Sequence, residues 1–310
     1  MRRSFRGVLI ERALKILGVV KRTTHERANR RKIRQIMKKG KYLYQLPFSK
    51  FFKNIKLAVL DDMIYYIINQ DQAKNPNKVI YFHGGAYLNQ PLLFHWRFIQ
   101  KIAKNTNTEI WAPIYPKIPL YTAKEAYERL IKLYQLLIST YPNNEIILIG
   151  DSSGGGLVLG LAQKLKNFNL KQPRDLIMIS PWLDISMTNP LIKDLEPYDQ
   201  MLNPNGLKVC GDYWRGEYDA KDPFVSPLYG ELTGLGKITI FIGTYDILYA
   251  DALSLLDRAK REGINIDFYP YEYMPHDFPL FPVPEVQEAL DTIIRIVNNY
   301  NKGKEDDSEV

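Results

Sequence analysis

Ser152 stands at the centre of Gly150-Asp151-Ser152-Ser153-Gly154. The apolar run before it, over 145–149, reads as a buried strand, and the run after it has helical spacing. A serine between two glycines at a strand-to-helix turn is the arrangement of an exposed nucleophile, because side chains at the flanking positions would hold strand and helix apart. The amides and dipole of the helix that starts there favour developing negative charge. A phosphate-cradling turn is the competing reading. It lacks the P-loop spacing with a Lys-Ser or Lys-Thr end, and there is no Gly-x-Gly-x-x-Gly at the first strand.

A second glycine-rich turn lies upstream, where the strand-like residues 79–82 run into His83-Gly84-Gly85-Ala86. Glycines let backbone N–H groups converge on one point, as stabilisation of an oxyanion requires. The amides of Gly84, Gly85 and Ser153 are the expected donors, and His83 is expected to organise the loop. A serine nucleophile also needs a base, and an acid to orient that base. The chain has four histidines, His25, His83, His95 and His276. Where a Gly-x-Ser-x-Gly turn joins strand to helix, the order is serine, acid, histidine. Only His276 follows Ser152, in Met274-Pro275-His276-Asp277-Phe278. Asp246, four residues beyond the apolar run 238–242, is the best-placed acid. Asp251 in the next helical segment and Asp184 after the run 175–180 are its rivals.

These residues need a frame that brings strand ends together. Residues 55–60 and 63–68 flank Asp61-Asp62 and read as a strand pair with a turn. Further short apolar runs lie at 78–82, 109–112, 145–149, 175–180, 238–242 and 266–271. Helix-period segments lie between and after them, near 92–105, 122–140, 153–167, 249–263 and 284–300. Alternation of this kind predicts an α/β protein with a mostly parallel sheet and helices on both faces. The longest interruption, about 181–237, reads as a cap or pocket wall inserted into a catalytic domain spanning 51–303, with 304–310 an acidic tail.

Composition narrows the classes further. A chain of 310 residues that is 45% hydrophobic and 25% charged is neither disordered nor a membrane bundle. One cysteine, Cys210, excludes an internal disulfide framework. With so few cysteines and histidines, no metal or organic cofactor is expected. The net charge of +8 is unevenly spread: residues 1–41 carry 15 Lys or Arg against two acids, whereas the other 269 residues carry 27 basic and 32 acidic side chains. A slightly acidic body argues against nucleic acid as a partner. Phe5, Leu9, Ala13, Ile16 and Val20 share one helical face, and Thr23 with Glu26 reads as a capping box for a second helix that Gly40 would end. Residues 1–50 are thus expected to be two basic amphipathic helices packed on the body, with an anionic membrane surface as an alternative contact for residues 1–41. Glu11, Arg12 and Lys15 interrupt any secretory apolar region, so a cytoplasmic protein is expected, at most peripheral to the inner membrane face. No feature of the sequence speaks to oligomeric state.

These segments resemble the hormone-sensitive-lipase-like branch of the α/β-hydrolase superfamily. The family's His-Gly-Gly-Gly and Gly-Asp-Ser-Ala-Gly-Gly motifs are similar to residues 83–86 and 150–155. Tyr115 to Pro119, Ser180-Pro181-Trp182-Leu183-Asp184, Asp222-Pro223 to Ser226-Pro227, and the Asp246 and His276 segments follow in family order. Ala86 and Ser153 depart from the family's glycine and alanine, but each keeps its backbone amide. Pro116-Lys117-Ile118 replaces Arg-Leu-Ala and removes a family arginine. The resemblance implies an α/β-hydrolase fold with a helical cap that includes the N-terminal segment. It also implies hydrolysis of short-to-medium acyl esters by Ser152, Asp246 and His276. A membrane-associated lipid hydrolase, an amidase or deacetylase with the same triad, and a non-catalytic small-molecule receptor are the other classes compatible with it.

Overall fold

The computed structural model describes residues 25–40, 44–47, 52, 54–282, 284 and 286–299. The expected helix within residues 1–22, Thr23 and the acidic tail lie outside the described residues.

Eight strands form one sheet: β1 (Ile55–Leu60), β2 (Met63–Ile68), β3 (Lys78–Phe82), β4 (Glu109–Pro113), β5 (Ile146–Asp151), β6 (Asp175–Ile179), β7 (Lys237–Gly243) and β8 (Ile266–Tyr271). Their spatial order is β1-β2-β4-β3-β5-β6-β7-β8. β1 and β2 pair antiparallel, as do β2 and β4, and every later pairing is parallel. This is the mostly parallel sheet expected from the strand–helix alternation. It is covered on both faces, so the inner strands are apolar throughout rather than alternating.

The two-residue period of a strand sorts those side chains between two cores. Ile80 and Phe82 of β3, with Ile146 and Leu148 of β5, join one cluster. Their neighbours Val79, Tyr81, Ile147 and Ile149 join the other. Helices α3 (Ala123–Thr140), α4 (Ser153–Asn167) and α7 (Tyr249–Arg261) cover the first face. Helices α2 (Leu93–Thr106) and α8 (Val286–Asn298) cover the second. In α3, Thr122 and Glu125 form a reciprocal capping box, which satisfies amides that the first helical turn leaves unpaired.

The segment between β6 and β7 carries short α5 (Ile192–Leu195), α6 (Pro204–Trp214) and a 3₁₀ turn at Pro227–Tyr229. Helix α1 (Glu26–Lys39) packs across α6. Asn29 Nδ2 donates to Gly206 O at 2.9 Å and Ile33 is fully buried. Gly40 ends α1 as expected, in a left-handed φ of 72° with its amide bonded to Ile36 O. The N-cap is His25, which makes no side-chain cap bond. The cationic side chains of α1, including Arg27, Arg30, Arg31, Arg34 and Lys38, are exposed.

Candidate active site

The carboxyl ends of β3, β5, β7 and β8 converge on one point. Open α/β sheets place their sites at this edge because the loops there follow strands that are already fixed. β5 runs two residues further than its apolar pattern indicated, to Asp151. Ser152 then turns into α4 with φ 53° and ψ −121°, a strained conformation for a residue with a Cβ. The turn is held by long-range backbone bonds: Ser152 N donates to Ile179 O at 2.9 Å, and Trp182 N donates to Ser152 O at 2.9 Å. The flanking glycines are required sterically. A Cβ on Gly150 would strike the backbone of Gly154, and one on Gly154 would strike Phe82 O. Ser152 itself is 5% exposed.

The loop after β3 lies against this serine, since a Cβ on Gly84 would come within 2.9 Å of Ser152 Cβ. Here the structure corrects one expectation. The Gly84 amide does not face open space but donates to Asp151 Oδ2 at 2.8 Å. The amides of Gly85, Ala86 and Ser153 have no hydrogen-bond partner among the described residues. Gly85 and Ala86 both adopt positive φ, 121° and 55°. Ala86 is therefore a free amide that the two-glycine pattern did not reveal. Its only sequence signal is its place as the last residue of His83-Gly84-Gly85-Ala86.

Asp151 is the post to which this loop is tied. It is completely buried and accepts from Gly84 N and from the Tyr81 hydroxyl. It also lies 3.3 Å from His95 Nε2. His95 Nδ1 accepts from Leu92 N at 2.8 Å, so the ring's proton sits on Nε2 and points at Asp151. The Tyr81 phenol is held well above its ordinary pKa, by burial first and then by the Asp151 charge. His83 donates from Nδ1 to Gly84 O at 2.7 Å and stacks on Tyr115, with ring centroids 4.7 Å apart. Burial, then the charge of Lys117, keeps His83 well below the ordinary histidine pKa, so the ring is neutral.

On the other side of the serine, the loop after β8 holds His276 and the loop after β7 holds Asp246. His276 Nδ1 lies 2.8 Å from Asp246 Oδ2. The other Asp246 oxygen accepts from Leu248 N at 2.9 Å. The rival acids are occupied elsewhere: Asp184 accepts from Ser186, Ser226 and Tyr229, and Asp251 accepts from Asn189. His276 Nε2 does not bond the serine. It stands 3.1 Å from Asp277 Oδ2. Burial opposes the imidazolium, but Asp246 and Asp277 outweigh it and hold the ring well above the usual histidine pKa. Asp277 is pushed up to about 6, by burial against the pull of His276.

A fourth buried carboxylate, Asp199, comes from the segment between β6 and β7. It accepts from Met201 N, Leu202 N and Ile247 N, and so clasps the loop that carries Asp246. Burial, then the Asp246 charge, raises it to about 6. Neither Asp199 nor Asp277 carries a sequence signal of its own. No group of His, Cys, Asp and Glu able to hold a metal exists among the described residues. No described helix is long and apolar enough to cross a membrane.

The strand order and the serine turn together define an α/β hydrolase. A family model described as alpha/beta hydrolase fold matches residues 79–280, and the chain belongs to that family. An esterase of Acinetobacter venetianus is 29% identical over 234 residues, covering 74% of this chain and 77% of the relative. A triacylglycerol lipase of Mycobacterium tuberculosis is 29% identical over 203 residues, covering 65% of this chain but only 42% of that protein. Among solved structures, an esterase candidate from Staphylococcus aureus superposes with a TM-score of 0.81 at 29% identity, covering 89% of this chain and 92% of the other. An esterase of the bacterial hormone-sensitive lipase family shares the fold, with a TM-score of 0.78 at 24% identity over 96% of this chain and 99% of its own.

Proposed function

We propose that this ester hydrolase is a serine carboxylesterase acting on short-to-medium acyl esters through an acyl-enzyme. Ser152 attacks the acyl carbon while His276 Nε2 takes its proton. Asp246 fixes the ring with the Nδ1 proton toward itself and stabilises the imidazolium. The amides of Gly85, Ala86 and Ser153 face the developing oxyanion. Each such donor contributes about 3 kcal/mol in comparable sites. The alcohol leaves with the proton from His276, and water then releases the acid by the same route in reverse. The observation that carries this reading is the 2.8 Å contact between His276 and Asp246 beside a serine held in a strained, glycine-flanked turn. Kinetics with p-nitrophenyl butyrate test it: Ser152→Ala should abolish turnover while circular dichroism is unchanged, and full turnover by that variant would refute it.

Helices α1 and α6 supply the reading of residues 26–39 and the 181–237 segment as a cap. Between α1 and the loops after β3 and β4 lies a cavity of about 510 Å³, lined by Ile36, Met63, Leu88, Ile114 and Lys117 among others. Neither Ser152 nor His276 lines it, so it would take the part of an acyl or alcohol chain remote from the ester, for which its largely apolar walls are suited. A rate profile over acyl chains of two to twelve carbons, compared with Ile36→Trp, tests this: the bulkier variant should shorten the preferred chain. The exposed cationic face of α1 favours an anionic lipid surface as the accessory partner. Full-length protein should then sediment with phosphatidylglycerol vesicles at low salt and be released at high salt.

A further inference from the structure

The catalytic histidine has one carboxylate more than a serine–histidine–acid arrangement requires. Asp246 occupies Nδ1, and Asp277 stands 3.1 Å from Nε2, the nitrogen that must accept the serine proton. A neutral ring with its proton toward Asp246 would present a lone pair to an ionised Asp277, and two acceptors repel. The contact is favourable only when one proton lies between Nε2 and Oδ2. The other oxygen of Asp277, Oδ1, is buried with no hydrogen-bond partner, and the residue's backbone sits at φ 54°. Its amide is anchored to Ser180 Oγ at 3.0 Å, so release of the histidine would be a rotation of the side chain and not of the backbone.

Taking the serine mechanism above as given, we infer that Asp277 is a proton latch on the general base. At rest it shares a proton with His276 Nε2, and the histidine becomes competent only when that proton has left for solvent and the Asp277 side chain has turned away. Nε2 then has the lone pair that receives the Ser152 hydroxyl proton as the Oγ–acyl bond forms. The charged surroundings all act in the same direction. Asp246 and Asp199 face the histidine, and Asp151, with Tyr81 bonded to it and His95 3.3 Å away, faces Asp277. Among the described residues, Asp151, Asp246 and Asp277 form ion pairs with histidines and with no Lys or Arg. The carboxylates therefore retain the proton, and the acid limb of activity lies at higher pH than an ordinary histidine would set.

Asp277→Asn is the discriminating variant, because asparagine keeps the shape and tolerates positive φ. A carboxylate within about 4 Å raises a histidine pKa by about one unit or more. Removing it lowers that pKa, so free base exists at lower pH. The acid limb of kcat/KM for p-nitrophenyl butyrate should move toward acid by about one unit, with the plateau retained. A second readout is the His276 ring titration followed by nitrogen-edited NMR, which does not depend on turnover. The ring pKa should fall by a similar amount. An unchanged ring pKa, or loss of activity at every pH in a folded variant, would overturn the latch. A ring pKa that falls while the limb stays put would instead overturn His276 as the base.

Discussion

The two flanks of Ser152 are built on different principles. The loop after β3 is held by bonds whose protons have one sensible place: Asp151 receives Gly84 N–H and the Tyr81 hydroxyl, with His95 Nε2 3.3 Å away. It presents backbone amides, which cannot titrate. The loops after β7 and β8 present a histidine between two carboxylates, Asp246 and Asp277, with Asp199 behind. There the proton has several places to go. One flank supplies fixed electrostatics that cost nothing to reorganise during reaction. On the mechanism we propose, the other supplies a base whose readiness depends on pH. Mutations on the first flank should therefore scale the rate, and those on the second should also move its pH dependence.

The largest effect lies at the centre. Ser152→Ala should lower kcat by about 10⁶, leaving only the catalysis that binding and the oxyanion donors provide. Next is Asp246→Asn, which leaves the ring in the wrong tautomer and should cost about 10⁴ in kcat on p-nitrophenyl butyrate. Asp151→Asn places an amide among three donors and loosens the loop after β3. A loss of about 10² in kcat with the acid limb unmoved is expected. A moved limb would erase the distinction between the flanks. Asp277→Asn follows, with its shift of about one pH unit and little change on the plateau.

The smallest catalytic effect should come from Asp251→Asn, since Asp251 bonds Asn189 and not His276. Its effect falls on stability. Burial raises the Asp251 carboxyl to about 7, well above its unfolded value. The wild-type protein therefore loses stability from this group as pH rises from about 4 through about 7, because the unfolded chain ionises first. Asparagine does not titrate, so melting temperatures of the variant should gain on wild type between pH 4 and pH 8. Turnover should stay within about twofold. A large loss of turnover would reinstate Asp251 as a rival acid.

Much of this was legible in the chain. The strands at 55–60, 63–68 and 78–82 appear at the expected residues because turn signals bound short apolar runs. The turn at Ser152 was legible because its close strand-to-helix approach needs glycines on both sides. The pairing of His276 with Asp246 was foreseeable because the chain has so few histidines and only one of them follows Ser152. Asp246 was preferred by its position after β7, but Asp251 was excluded only by seeing which carboxylate meets the ring.

What the sequence determined by itself is therefore whatever depends on neighbours along the chain: the sheet's alternation, the strained serine turn, the scarcity of histidines. Only the tertiary structure decided that Gly84 is spent on Asp151 while Ala86 is free, that Asp199 clasps the Asp246 loop, and that Asp277 faces His276 Nε2. Those outcomes depend on distances of a few ångströms between loops from different strands. Burial then amplifies each pairing, because a carboxylate shut away from water must find its donors or keep its proton.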